Sequence, residues 1–300
     1  ISFPLLLYSL PTPEELPNIV RNDITAMIAD SELADLLNMA AEEQGVRVPV
    51  HMKVDTGMGR IGCTPAAAPD LAEHISQLGG LELSGVSTHF ALSDSGDRSF
   101  TEEQIARFNT SVAAIRARGV DPGLIHAGNS GGVLAYPEAW YDMIRPGIII
   151  YGYYPSAEQE RTLPIRPVME LTSRLVFIKE VEAGATISYG ATWRATSRTH
   201  IGTIPVGYGD GYNRLFSNTA RVLIDGISYP VVGRVCMDQI MVDLGPVCTV
   251  ERYDEVTLFG PDPAGPNAEE LAGICGTIPY EITCNISKRV PRIYVDADPA

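Results

Sequence analysis

Lysine is scarce in this 300-residue chain: of its 22 basic residues only Lys53, Lys179 and Lys288 are lysines, so chemistry that needs a primary amine has three places to occur. Basic charge as a whole is short, 22 Lys and Arg against 37 Asp and Glu, a formal net charge of -15. That balance disfavours phosphate backbones and anionic lipid, so neither a nucleic-acid nor a membrane partner is expected. Long apolar runs are missing as well. The longest near the start, Phe3 to Leu7, cannot span a bilayer and carries no basic flank or small-residue cleavage site. The five cysteines (Cys63, Cys236, Cys248, Cys275, Cys284) are odd in number, widely spread and without a C-x-x-C pair. Neither a disulfide framework nor a zinc site is indicated, no metal is expected, and the compartment reads as cytoplasmic. What is present, 45% hydrophobic and 20% charged residues, suits one large globular domain or two moderate ones. The chain opens on Ile1 rather than methionine, which leaves room for a longer reading frame.

Up to Tyr151 short apolar, β-branched runs alternate with segments of helical period. Strands are expected at Leu5 to Tyr8, Ile24 to Ile28, Val48 to Val54, Leu83 to His89, Leu124 to Ala127 and Met143 to Tyr151. Helices are expected from Thr12 (an N-cap with Pro13 and Glu15 behind it), over Ser31 to Gln44, Pro65 to Leu78 and Glu102 to Arg118, and from Ser130. Such βα alternation implies a parallel sheet with helices outside. Either an open doubly wound sheet or a (β/α)8 barrel fits, and a barrel would need two more strands before Ile1. Beyond the proline-rich stretch Pro155 to Pro167 the pattern becomes strand-like, with runs at Val168 to Val181, His200 to Val206, Ala220 to Ile224, Ile227 to Val232, Met237 to Leu244, Glu255 to Phe259 and Val290 to Val295. Asp225-Gly226 marks a hairpin turn, and one helix is expected over Asn267 to Cys275. The expected organisation is a βα domain over 1–155 and a mainly β domain over 166–300.

The densest motif is H-M-K-V-D-T-G-M-G-R-I-G, residues 51–62. Strand alternation puts His51, Lys53 and Asp55 on one face and Val50, Met52 and Val54 on the other, and the glycines let the chain turn and carry Arg60 back over the strand end. Ionisable groups facing inward near a strand's C-terminal end are costly unless they serve a site. In H-A-G-N-S-G-G, residues 126–132, a strand meets a helix whose first amides, with the Ser130 hydroxyl, suit an anion such as a phosphate. Arg145, in I-R-P-G-I-I-I-Y, is a permanent cation in an apolar segment and needs an acceptor, and His89 stands at a strand terminus. The β region adds three tyrosine- or glycine-rich turns, I-S-Y-G-A-T, V-G-Y-G-D-G-Y and G-R-V-C-M-D-Q.

Taken in order with K-V-D-T-G-M-G-R-I-G, H-A-G-N-S, I-R-P-G-I-I-I-Y-G and the late S-K-R-V-P-R, these motifs resemble the bacterial alanine racemases, a family that uses pyridoxal phosphate. The resemblance covers essentially the whole chain. It implies a (β/α)8 TIM barrel that binds pyridoxal 5'-phosphate, a C-terminal β domain, and a head-to-tail homodimer in which each active site is shared between subunits. The activity implied is interconversion of L- and D-alanine by two-base proton transfer at Cα, supplying D-alanine for peptidoglycan. A serine-preferring racemase of the same family and a non-catalytic pyridoxal-phosphate binder are the alternatives. Residue by residue, the resemblance makes Tyr189 the catalytic base that works from the partner subunit and Arg145 the group facing the pyridine nitrogen. His89 becomes the ring beside the cofactor, while Asn129, Ser130, Gly147 and Ile148 supply its phosphate surroundings. Lys53 becomes the often carbamylated lysine that orients Arg60, and Arg60 the contact to cofactor and substrate. Met237 and Asp238 become the partner-subunit residues around the substrate carboxylate, and Tyr208 a tyrosine at the entrance.

One element of the family pattern is missing. The A-V-x-K-A-N-A-Y-G motif, whose lysine forms the Schiff base and is the second base, occurs nowhere in the chain. The expectation is therefore a racemase without its N-terminal strands, inactive on its own. Lys288 also departs from the pattern, standing where well-known members carry a tyrosine.

Overall fold

The computed structural model describes residues 3–295 and divides the chain into two compact units, Ile1–Gly147 with Ser156–Thr162 and Ile148–Pro155 with Leu163–Ala300. The first unit is a parallel sheet of five strands, β1 (Leu5–Leu7), β2 (Ile24–Ile28), β3 (Val48–Lys53), β4 (Leu81–Ser87) and β5 (Leu124–His126). Each pairs with the next in sequence, in the order β1-β2-β3-β4-β5. A doubly wound sheet reverses its order at a switch point; here no reversal occurs, which is the succession of a barrel wall. Helices α1 (Leu16–Arg21), α2 (Ser31–Glu43), α3 (Ala68–Gln77) and α4 (Ser99–Ala117) make the crossovers, and α5 (Ser130–Ala135) follows β5.

Local chemistry accounts for where these elements begin. The Glu15 carboxylate accepts from the Thr12 backbone N–H at 2.8 Å, and Pro13 opens a 3-10 turn that runs into α1. Asp30 caps α2 by accepting from the Leu33 N–H at 2.8 Å. Val50, Met52 and Val54 point into the apolar core with Ile28, Leu37, Ile75 and Ile115, so the expected alternation along β3 holds. The sixth strand does not form: residues 143–147 are irregular and Ile148–Tyr151 is a 3-10 turn. Its ladder donors are already taken, since the Arg145 N–H bonds the Gly128 carbonyl at 2.8 Å and the Gly147 N–H bonds Ser130 Oγ at 2.9 Å, and Pro146 has none to give.

The second unit is antiparallel. One sheet orders β13 (Ile240–Gly245), β10 (Thr199–Ile204) and β7 (Phe177–Val181). Another orders β12 (Ile227–Pro230), β11 (Arg221–Ile224), β14 (Glu255–Phe259) and β6 (Leu171–Arg174). A small hairpin joins β8 (Thr186–Ile187) to β9 (Trp193–Arg194). The expected run Val168 to Val181 is thus two strands in different sheets: the Leu175 N–H bonds Asp254 in one and the Val176 N–H bonds Thr203 in the other. Asp225 and Gly226 take φ of +48° and +72°, the left-handed pair a two-residue hairpin turn needs. Helix α6 (Ala268–Cys275) follows the expected start, with Asn267 as its cap, whereas α7 (Pro279–Cys284) was not anticipated. Val290 to Val295 is no strand, because Arg292 curls the backbone by donating to the carbonyls of Ile286, Ser287 and Val290.

Candidate active site

The inward face of β3 carries the first cluster. Lys53 is 2% exposed and His51 is buried. The Lys53 amine donates to the hydroxyl of Tyr8, the residue after β1, and that hydroxyl donates to the Thr88 carbonyl at 3.0 Å. Burial, and then the Arg145 charge, lower the Lys53 pKa to about 6, so its amine is largely uncharged at neutral pH. Asp55, expected inward, instead accepts from the N–H groups of Gly57 (2.9 Å) and Gly59 (3.1 Å) and shapes the turn. Arg60 lies exposed beyond it. It makes no hydrogen bond to Lys53, whose polar partner is Tyr8.

Arg145 finds its acceptors in the main chain. One Nη donates to the carbonyls of Thr88 and Ala127, each at 2.9 Å, and lies 3.3 Å from His89 Nδ1; the other donates to His126 Nδ1 at 2.6 Å. This fixes the proton order by inference. With Nδ1 of His126 accepting, its proton sits on Nε2 and is donated to His51 Nδ1 at 2.8 Å, which leaves the His51 proton on Nε2. Burial depresses all three rings, His51 to about 4, His89 to about 3 and His126 to about 2, with the Arg145 charge adding to each. Lys53 also acts on His89, more strongly than Arg145 does. Gly85 is required beside this chain, since a Cβ there would sit 2.6 Å from the His51 ring.

Ser130 Oγ accepts from the Gly147 N–H, leaving its proton for another acceptor. Asn129 is turned to structural use, accepting from the Gly132 N–H at 3.0 Å and from Ser93 Oγ at 2.6 Å. Ile148 falls in the second unit and is buried in its core. His51 stands beside Lys53 on the inward face of β3, as the alternation placed it, whereas Tyr8 and His126 join the cluster without having been given a role from the sequence; nothing local marks Tyr8.

In the β unit the tyrosine-glycine turns converge. The Tyr208 and Gly209 N–H groups bond the Cys236 and Met237 carbonyls at 3.0 and 2.9 Å, Ser188 Oγ bonds the Arg234 carbonyl at 2.6 Å, and the Ser287 N–H bonds the Asp210 carbonyl at 2.9 Å. Asp238 pairs with Arg289 at 2.7 Å, and Arg289 reaches Asp210 at 3.3 Å. Tyr189 is 72% exposed on a turn with left-handed φ at Ser188, Gly190 and Ala191, and Tyr208, Met237 and Lys288 are also exposed. Among the described residues no helix is long and apolar enough to cross a membrane.

Residues 1–155 match the alanine racemase N-terminal domain and residues 168–294 the alanine racemase C-terminal domain. An alanine racemase of Treponema denticola is 47% identical over 98% of this chain and 79% of its own length. The solved alanine racemase of Clostridium difficile 630 superposes with a TM-score of 0.92 at 36% identity, covering 98% of this chain and 77% of that one. That of Bacillus anthracis, solved with bound L-Ala-P, gives 0.89 at 33% identity over 99% and 77%. By class, then, a curled parallel βα unit followed by a mainly β unit makes this an amino-acid racemase. The chain belongs to the alanine racemase family.

Proposed function

We propose that this protein binds pyridoxal 5'-phosphate on its βα unit and serves the interconversion of L- and D-alanine. The observation that carries this reading is Arg145, a half-buried guanidinium held by carbonyls and rings with no carboxylate, whose Nε–H donates to none of the described residues. An unspent donor fixed this firmly suits a ring nitrogen acceptor, and the free hydroxyl proton of Ser130 suits a phosphate oxygen. His89 would lie beside the cofactor ring and Gly147 would offer backbone to the phosphate, with Asn129 capping the helix that begins at Ser130. Pyridoxal phosphate, when bound, supplies the electron sink that acidifies an amino acid Cα–H.

The chain's own groups do the rest. Arg145 would lend a hydrogen bond to the ring nitrogen and keep its own proton, since a guanidinium does not readily give one up. Inversion needs a base on each face of Cα. Tyr189, contributed by a second copy in a homodimer, is one; that copy's Met237-Asp238 turn joins Arg60 of the first in receiving the alanine carboxylate, and Tyr208 lines the way in. The other base is not Lys53, which Tyr8 and Thr88 hold buried, nor Lys179 on β7, nor Lys288. Racemisation by these residues alone is accordingly not expected. Equilibrium dialysis tests the reading: the purified chain retains pyridoxal phosphate, and Arg145→Ala weakens retention about tenfold or more. Borohydride treatment leaves all three lysines unmodified on peptide mapping. Failure to retain the cofactor refutes the proposal, and an adduct on Lys53 refutes its assignment of the bases.

A further inference from the structure

We propose that Tyr8 is a positioning residue of this site: its phenol oxygen holds the Lys53 amine, and its ring face carries the Arg145 guanidinium, fixing two basic groups relative to each other. This deepens the cofactor-site reading and rests on it for what the two groups are aimed at. Tyr8 lies against both cations of the cluster and two of its rings. Its ring centroid lies 4.2 Å from Lys53 Nζ and 4.4 Å from the Arg145 guanidinium carbon, and 5.9 and 6.1 Å from the rings of His89 and His126. Because its proton is committed to the Thr88 carbonyl, the oxygen has lone pairs to give, and the Lys53 amine donates into them.

The electrostatic need is plain. Lys53 and Arg145 repel when both are charged, and an aromatic face beside both offers negative quadrupole charge where no carboxylate reaches the guanidinium. Burial raises the Tyr8 pKa, which keeps the phenol neutral and able to serve as both donor and acceptor. The groups facing Lys53 are Arg60 and Asp55 from the turn after β3, Arg145 from beyond α5, His89 after β4 and His126 on β5. Among these Tyr8 is the hydrogen-bond acceptor.

The scarcity of lysine makes the test direct. With 13C placed at lysine Cε, the chain gives three side-chain signals, and each can be titrated by NMR from pH 5 to 11 without cofactor. In the unsubstituted protein Lys53 titrates far below the ordinary lysine value of 10.5. Tyr8→Phe removes the acceptor and lowers the Lys53 midpoint further, by about half a pH unit or more, and Tyr8→Leu, which also removes the ring face, lowers it by about one. A circular dichroism spectrum that matches the unsubstituted protein's reports an intact fold. A Tyr8→Phe curve that superposes on the unsubstituted one, or moves upward, overturns the proposal; if Tyr8→Leu does not fold, Tyr8→Phe decides. Since the titration is made without pyridoxal phosphate, its outcome is separate from the dialysis result.

Discussion

Acidification should unlock the Arg145–His126–His51 chain, and the loss can be worked out from its proton order. His126 donates to His51 and accepts from Arg145, so adding a proton at the accepting nitrogen of either ring sets N–H against N–H or against the guanidinium. His51 and His126, ordinarily at 6.5, are lowered to about 4 and about 2 in the folded protein. Bases whose folded pKa is depressed leave stability intact above 6.5; it is lost as pH falls from there toward the folded values, because the unfolded chain takes up protons the native one refuses. Between pH 7 and pH 5 the loss is about 2 kcal/mol for each such histidine, a figure governed by the unfolded value so long as the native one stays near 4 or below. Two rings together remove a large part of an ordinary domain's stability of about 5–15 kcal/mol. Urea titrations followed by circular dichroism at pH 7, 6 and 5 measure this. His51→Gln, which keeps an acceptor for His126 and cannot titrate, should flatten the pH slope by about one proton. Equal stability at pH 7 and pH 5, or an unchanged slope in His51→Gln, would refute the proton order.

Lys53, ordinarily at 10.5 and about 6 here, acts in a higher window: stability rises from pH 6 toward 10.5, by about 1 kcal/mol per unit between 7 and 9, and Lys53→Met abolishes the rise in the same urea assay. Gly85→Ala forces a methyl to 2.6 Å from the His51 ring and should cost about 1–3 kcal/mol, with His51 and His126 NMR signals shifting while those of the β unit stay in place. Asp30→Ala deprives the Leu33 N–H of its acceptor at the start of α2 and should cost about 1 kcal/mol, read as a lower melting temperature.

The succession of strands and helices in the first unit was legible because each burial face is written in consecutive residues, and caps such as Asn267 and the Asp225-Gly226 turn depend on neighbours alone. Reading failed where distant groups decide. Residues 143–151 are apolar enough for a strand, but Gly128 and Ser130 take the main-chain donors that a ladder needs. Residues 168–181 read as one strand because nothing in their pattern marks the change of sheet at Leu175. In the site, His51 and Lys53 follow from alternation along β3. Tyr8 follows from nothing nearby, since its importance lies in meeting Lys53, Thr88 and Arg145 across 45, 80 and 137 positions of chain.

The turns of the β unit are laced together by main-chain amides and carbonyls at Tyr208, Gly209, Asp210, Cys236, Met237 and Ser287. Scaffold and chemistry are therefore divided between backbone and side chain: the phenols of Tyr189 and Tyr208 and the thioether of Met237 face outward without holding the turns that present them. Such a division lets reactive groups be exchanged, by selection or by design, while the frame that aims them persists.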